Sequence, residues 1–421
     1  MKTRIMLAIL RQATVFAGLS LFVSISLSAQ DDTKPLAELL HDSVYHAPKV
    51  HREPSMDQGN IQAIFYDALP FREKPTRVFA YLGIPKSDQP LPAMVLVHGG
   101  GGNAFHEWVK TWNDRGYAAI AMSLEGQMTV GSSGKGKQGH AHSGPSRQGM
   151  FNDVDSPLKD QWMYHAVSDI LLAHSLLASQ QEVDANRIGI TGISWGGILS
   201  SLVSGVDTRF KCAMPVYGCG YLFDSKGNFE LLMRSTPEML QKKKFWDPAR
   251  HFASGSVPTL WVNGDSDGHF SIDITSRSFE TTRDHAFLTI HPGMPHGHYP
   301  GWRPDAVPEI YAFADQILKG ESPGLGRITR QPSGRTVDLV FESETPIKQA
   351  TVYYLNEKLT YRRRDDNAKH ATPGPWLKMS ANLNDSNNAV QAQLPESCLT
   401  YYVNLKDSRG YIISSILVEL Q

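Results

Sequence analysis

Between Asn60 and Gly320, short β-branched runs alternate with amphipathic stretches at helical spacing, the rhythm of a mainly parallel sheet wrapped by helices. Strands of such a sheet are covered on both faces and read as near-continuous apolar runs. Met94 to Val97 (MVLV), Tyr117 to Met122 (YAAIAM), Ala213 to Tyr217 (AMPVY), Thr259 to Asn263 (TLWVN) and Ala286 to Ile290 (AFLTI) have that texture. An earlier run, Arg77 to Ile84, is expected to be antiparallel. Phe105 to Arg115, Leu158 to Ala178 and Ala306 to Leu318 are the expected helices, and Arg187 to Thr191 is a short strand running straight into GISWGG. Thr129 to Asn152, rich in Gly, Ser and His, is expected to be a mobile loop at the strand ends, where such sheets collect their binding residues. Gly220 to Ser256 is a longer, helix-like excursion.

The whole chain has 421 residues, too many for one ordinary core. After a Gly/Pro-rich linker at 321–334 the pattern changes to strand-like runs with turns between them: Thr336 to Phe341, Ala350 to Leu355, Ala389 to Leu394, Thr400 to Leu405 and Tyr411 to Leu420. Residues 335–421 therefore read as a small β-sandwich, with Asp407 to Gly410 as a hairpin turn. At the other end, Lys2, Arg4 and Arg11 precede an apolar stretch from Ala13 to Leu27 and the small residues Ser28 and Ala29. Residues 1–29 read as a signal peptide, leaving 30–320 as the α/β region. No later segment is apolar enough to span a bilayer, so the expected location is secreted or periplasmic. Forty-one basic against 42 acidic residues give a net charge of −1, and no global field attracts nucleic acid. Cys212, Cys219 and Cys398 are too few for a disulfide framework and are expected to pack as small apolar residues.

Gly192-Ile193-Ser194-Trp195-Gly196 is G-x-S-x-G between a predicted strand and a predicted helix, the setting in which a serine is lifted out on a sharp turn. A serine hydroxyl is a weak nucleophile and needs a base held by an acid. NGDSDG supplies Asp265 and Asp267 after one buried strand, and HPGMPHGH supplies His291, His296 and His298 after the next. Asp267, beyond the turn, is the preferred acid, with Asp265 capping that turn. His296, in a Gly/Pro-rich loop, is the preferred base; His298 competes, and His291 directly ends a strand. An oxyanion needs two preorganised N–H donors. One is expected from Trp195 and the other from the His98 to Gly102 loop, at Gly100 or Gly101. Candidate substrate contacts are His98, Tyr217 and Gln127, Tyr217 being equally placed to fill the core. His140 and His142 resemble a metal pair, but no nearby Cys or carboxylate completes a set, so no metal is expected. Trp162 and His165, on the long helix, are expected to pack in the core and to be hydrogen-bonded there.

On VHGGGG, GISWGG, PVYGCG, NGDSDG and MPHGH, the stretch from Ala80 to Lys319 resembles an α/β-hydrolase. The similarity is to the secreted branch grouped with acetylxylan esterases, dienelactone-hydrolase-like proteins and prolyl-oligopeptidase-type domains. Two residues depart from it: a true dienelactone hydrolase has cysteine where this chain has Ser194, and LEGQ at Leu124 to Gln127 matches only loosely the RGQ signature of one acetyl-esterase family. The resemblance implies a cofactor-free serine hydrolase of a small ester or acylated carbohydrate. The alternatives it leaves are a prolyl-oligopeptidase-type peptidase, for which the region before Arg77 is too short to hold a propeller, and a non-catalytic glycan-binding protein.

Overall fold

The apolar runs become strands of one sheet in the computed structural model, which describes residues 34–130, 136–227, 235–252, 257–297, 301–363, 372–384 and 386–421. The expected signal segment lies outside the described residues. Among those described, β1 (Val50–Arg52), β2 (Gln62–Phe71), β3 (Lys74–Gly83), β4 (Leu91–Val97) and β5 (Ala118–Met122) belong to it. A separate hairpin, β6 (Gln127–Val130) and β7 (Gly136–Gly139), follows, before β8 (Val183–Ile193), β9 (Cys212–Val216), β10 (Thr259–Gly264) and β11 (Ala286–His291) complete the sheet. The order is β1-β2-β3-β5-β4-β8-β9-β10-β11. From β5 to β11 neighbouring strands run parallel, while β1, β2 and β3 form an antiparallel flank. Both faces of β4, β5, β9 and β10 are buried, as their unbroken apolar runs require.

After a single turn at α1 (Leu36–Leu39), the helices are α2 (His106–Asn113), α3 (Trp162–Ala178), α4 (Trp195–Ser204), α5 (Pro237–Lys243), α6 (Ile272–Thr281) and α7 (Pro308–Ala314). Helix α7 runs into a wider π-helical turn at Asp315–Lys319. Helix α3 is apolar on nearly every side because it is buried on nearly every side: its described residues from Trp162 to Leu177 are all buried. Two of its polar side chains find carbonyl partners, the Trp162 indole N–H on the Leu124 carbonyl at 2.7 Å and His165 Nε2 on the Lys159 carbonyl at 2.8 Å. The thiols of Cys212, Cys219 and Cys398 are buried and unbridged.

Beyond α7, β12 (Arg327–Arg330), β13 (Thr336–Glu342), β14 (Ile347–Leu355), β15 (Leu377–Ser380), β16 (Asn382–Asn384), β17 (Ala389–Gln393), β18 (Thr400–Asp407), β19 (Ile412–Ser414) and β20 (Val418–Glu419) form two antiparallel sheets. Their orders are β12-β13-β17-β16 and β15-β14-β18-β19, with β20 also on β18. The sandwich expected from the sequence is present, and it has its own core of Val337, Leu339, Phe341, Val352, Tyr401, Val403 and Leu405. The Asp407–Gly410 turn closes with the Gly410 N–H on the Asp407 carbonyl at 3.0 Å. The Gly/Pro-rich stretch before it is not wholly irregular, since Arg327–Arg330 pairs with β13. Residues Asp32–Gln421 nevertheless form one compact unit. The reason lies in the period of two along β18: Tyr401, Val403 and Leu405 enter the sandwich core, while Tyr402 joins the core of the large sheet. Among the described residues, no helix is long and apolar enough to cross a membrane.

Candidate active site

Strand β8 ends at Ile193 and helix α4 begins at Trp195, so Ser194 occupies the whole turn between them. Its backbone, at φ 56° and ψ −118°, lies where side chains are strained by about 1–3 kcal/mol. The conformation is held from both sides: the Ser194 N–H reaches the Val216 carbonyl at 3.0 Å, and its carbonyl accepts the Ile198 N–H at 2.9 Å. Glycine at 192 and 196 follows from the same crowding, because a Cβ on Gly192 would come within 2.2 Å of the Gly196 carbonyl oxygen. Sharp turn and close approach together push the hydroxyl out at the end of the sheet.

Two loops from neighbouring strands meet that hydroxyl. His296, after β11, has Nε2 2.9 Å from Ser194 Oγ and Nδ1 2.7 Å from Asp267 Oδ2. A carboxylate only accepts, so Nδ1 carries the proton and Nε2 is left to accept from the serine. Asp267, after β10, is fully buried. Its second oxygen, Oδ1, accepts the backbone N–H groups of His269 and Phe270 at 2.7 and 2.9 Å, which fixes the carboxylate plane before the histidine arrives. The imidazole is held between rings: Tyr217, His269 and Phe270 have centroids 4.8, 4.3 and 5.8 Å from that of His296. Ser194, His296 and Asp267 are thus brought together as one hydrogen-bonded relay. His298 lies outside the described residues. His291 points elsewhere, to the buried Glu309 at 3.0 Å.

Trp195 opens helix α4 at its positive end, beside the serine. Across from it, Gly100 lies so close to the Trp195 ring that a Cβ there would sit 2.5 Å from Cδ1. Gly101 does not share that position. Its φ is +68°, and its N–H is directed to Glu125 Oε1 at 3.1 Å, so of the two glycines expected as donors Gly101 is the one whose N–H is committed elsewhere. Glu125 also accepts from Arg147 Nε at 3.3 Å. The Arg147 guanidinium lies 4.9 Å from the centre of the Trp195 ring, with Phe151 and Trp162 edge-on at 5.2 and 5.4 Å. Glu125 and Arg147 therefore tie the glycine loop to the residue after the serine. The sequence signals neither, although Glu125 stands where LEGQ departs from RGQ. Glu125→Ala is expected to reduce kcat for p-nitrophenyl acetate by about 10- to 100-fold, with far-UV circular dichroism unchanged; an unaltered kcat would remove this role.

Two of the expected substrate contacts have other work. His98 is buried, with Nδ1 donating to the Gly99 carbonyl at 2.7 Å and Nε2 accepting the Leu124 N–H at 3.0 Å. Both ring nitrogens are committed to shaping the loop. Tyr217 is buried with φ +34°, and its hydroxyl donates to the Gly297 carbonyl, holding the loop that carries His296. Burial, reinforced by the nearby Asp267 charge, pushes its phenol well above the usual tyrosine range. Gln127 differs: its side-chain oxygen is buried and meets no hydrogen-bond partner. Asp265 does not merely cap its own turn, since Oδ1 accepts the Gly293 N–H at 2.6 Å and Oδ2 the Tyr402 hydroxyl at 2.8 Å. Part of the expected loop at 129–152 is ordered as β6 and β7, with the Lys137 ammonium donating to the Gly101 carbonyl.

His140 and His142 do not form a chelating pair, because His140 Nδ1 accepts the His142 N–H at 3.3 Å and the His140 ring packs on Phe65. Among the described residues, Asp267, His269 and His296 bring ligand atoms within 4.8 Å of one another. Both Asp267 oxygens already accept hydrogen bonds, one of them from His296 itself. The donor set suits proton transfer rather than tetrahedral coordination.

This geometry is accompanied by similarity to known proteins. The model of the family described as acetyl xylan esterase (AXE1) matches residues 30–260, which include Ser194 and the glycine loop but end before Asp267. An uncharacterized peptidase, YuxL, of Bacillus subtilis (strain 168) is 22% identical over 201 residues, covering 45% of this chain and 28% of that protein. The chain thus matches less than a third of that curated relative's length. Among solved structures, acetyl xylan esterase from Paenibacillus sp. R4 aligns at 20% identity and a TM-score of 0.49, over 68% of this chain and 90% of that one. Acylaminoacyl peptidase of Pyrococcus horikoshii aligns at 16% and 0.49, over 64% and 44%. With the family model matching more than half of its residues, the chain belongs to the acetyl xylan esterase family of hydrolases.

Proposed function

We propose that the protein is a serine esterase, secreted or periplasmic, that removes small acyl groups, acetate foremost, from carbohydrate. The observation that carries this reading is the relay from Ser194 Oγ through His296 to Asp267, at 2.9 and 2.7 Å. In it the Ser194 hydroxyl attacks the ester carbonyl as His296 Nε2 takes its proton. Asp267, acceptor of three hydrogen bonds, stabilises the imidazolium that forms. The carbonyl oxygen becomes an oxyanion between the N–H groups of Trp195 and Gly100. His296 then gives its proton to the departing alcohol oxygen, leaving acyl-Ser194. Water, deprotonated by the same nitrogen, releases the acid and restores the serine. No step needs a metal or an organic cofactor. Membership of the acetyl xylan esterase family supports the choice of acyl group.

A fluorophosphonate probe is expected to label Ser194 in the folded protein, and acetate is expected to be released from acetylated xylan or acetylated oligosaccharides faster than any peptide bond is cut. Mass spectrometry of the labelled peptide and an acetate assay read the two outcomes. Labelling with peptide cleavage and no ester turnover would replace the esterase reading with a peptidase one.

A further inference from the structure

Asp265 is the carboxylate of NGDSDG that the relay does not use, yet three separate parts of the chain converge on it. Its Oδ1 accepts the N–H of Gly293, three residues before His296, at 2.6 Å. Its Oδ2 accepts the Tyr402 hydroxyl at 2.8 Å, and its main-chain carbonyl accepts the Trp376 indole N–H at 3.2 Å. Both aromatic residues belong to the C-terminal sandwich. The bracket is dry and rigid: Asp265 is 2% exposed and Tyr402 fully buried. The Tyr402 ring is stacked on Tyr353 at 5.1 Å and 12°, with Trp376 edge-on at 5.1 Å and 79°.

The geometry points to Tyr402 as a positioning residue that acts through Asp265 on the Asp267–His296 pair, making the C-terminal sandwich a working part of the catalytic unit. This rests on the reading of Ser194, His296 and Asp267 given above. Asp265 and Asp267 share one tight turn, closed by the Asp267 N–H on the Gly264 carbonyl at 3.2 Å. Gly293 and His296 share the facing loop. Side-chain oxygens join the two loops at two points, Asp265 to Gly293 and Asp267 to His296, beside the main-chain bond from the Asp265 N–H to the His291 carbonyl at 3.2 Å. The main-chain bond fixes the strand ends, and the two side-chain joints set the separation of the loops beyond them. In the first joint Oδ1 also accepts the Ser266 hydroxyl at 3.1 Å, and the carboxylate is held from its other oxygen by Tyr402. Without the Tyr402 hydroxyl, Oδ2 becomes a buried acceptor with no donor, and such a group recovers solvation or a proton by moving. Movement of that turn carries Asp267 with it.

The test is steady-state kinetics of the full-length protein on p-nitrophenyl acetate, with melting temperatures alongside. Tyr402→Phe is expected to reduce kcat by about 10- to 100-fold while KM stays within about twofold, and to broaden or shift the low-field proton resonance of His296 Nδ1–H. Trp376→Phe is expected to act in the same direction more weakly, and serves the comparison alone if Tyr402→Phe does not fold. Tyr401→Phe is the control: its hydroxyl donates to the Gly334 carbonyl at 3.0 Å within the sandwich, so its melting temperature falls while kcat stays at the wild-type value. Wild-type kcat in Tyr402→Phe, or an equal loss in Tyr401→Phe, overturns the proposal. Absence of fluorophosphonate labelling at Ser194 in the wild-type protein would instead remove the catalytic reading itself, and this proposal with it.

Discussion

Ser194→Ala is expected to lower kcat/KM for acetyl esters by about ten-thousand- to a million-fold, with a melting temperature close to that of the wild type. The disparity follows from what the side chain touches. The hydroxyl's partner is His296 Nε2, whereas the strained turn is held by main-chain bonds to Val216 and Ile198 that alanine keeps. Asp267→Asn is expected to cost about ten-thousand-fold for a different reason. Its Oδ1 receives two backbone N–H groups, so the amide places its oxygen there and its NH2 toward His296. That stabilises the wrong tautomer, with Nε2 protonated and unable to accept from Ser194. Ester turnover and fluorophosphonate labelling rates separate the two variants: alanine at 194 cannot label at all, asparagine at 267 labels slowly. Substantial turnover by Ser194→Ala would mean another nucleophile.

Gly196→Ala is the second large effect, and it acts on folding. A Cβ at this position would lie 2.0 Å from the Val97 carbonyl oxygen, 2.6 Å from its carbon and 2.7 Å from the His98 carbonyl oxygen. All three are backbone atoms, so no side chain can rotate away. Either helix α4 lifts from β4, or the end of β4 moves and takes the glycine loop with it. A loss of about 4 kcal/mol or more is expected, together with esterase activity, since both proposed oxyanion donors sit on the two displaced segments. Soluble yield, melting temperature and acetate release measure it; a variant with wild-type values for all three would show that the elbow is looser than its geometry.

What the sequence reveals of this molecule depends on whether the information is periodic. Strands β4, β5, β9 and β10 are visible as apolar runs because burial on both faces writes itself into every residue. Strand β2 is not, since Asp67 interrupts it, and that half-exposed charge is paired with His51 and Arg77 on the strands beside it, at 2.7 and 3.0 Å. The same distinction governs the site. Ser194, Asp267 and His296, the proposed nucleophile, acid and base, are readable because each follows a strand in a fixed order. Their surroundings are set by partners far along the chain: Glu125 reaches Gly101, Arg147 reaches Trp195, and Tyr402 reaches Asp265. No spacing rule announces such pairs. His98 shows the opposite error. A histidine at a strand end beside a glycine loop resembles a substrate contact, yet backbone groups on either side occupy both its nitrogens.

The outer rim of β11 is the last edge of the large sheet, and an unpaired strand edge invites another chain to extend it. Here side chains of the sandwich stand where a tenth strand would. The Ile290 N–H donates to Ser414 Oγ at 2.7 Å, the Ile290 carbonyl accepts from Asn404 Nδ2 at 3.0 Å, and Thr289 Oγ1 donates to the Ile412 carbonyl at 2.8 Å. Ser414 in turn donates to Asn404 Oδ1 at 2.6 Å, so the cap is cross-braced. For anyone trimming this chain to a minimal hydrolase, the sandwich is a stopper: cut it away and the sheet ends in open hydrogen-bonding groups, a template for its own polymerisation.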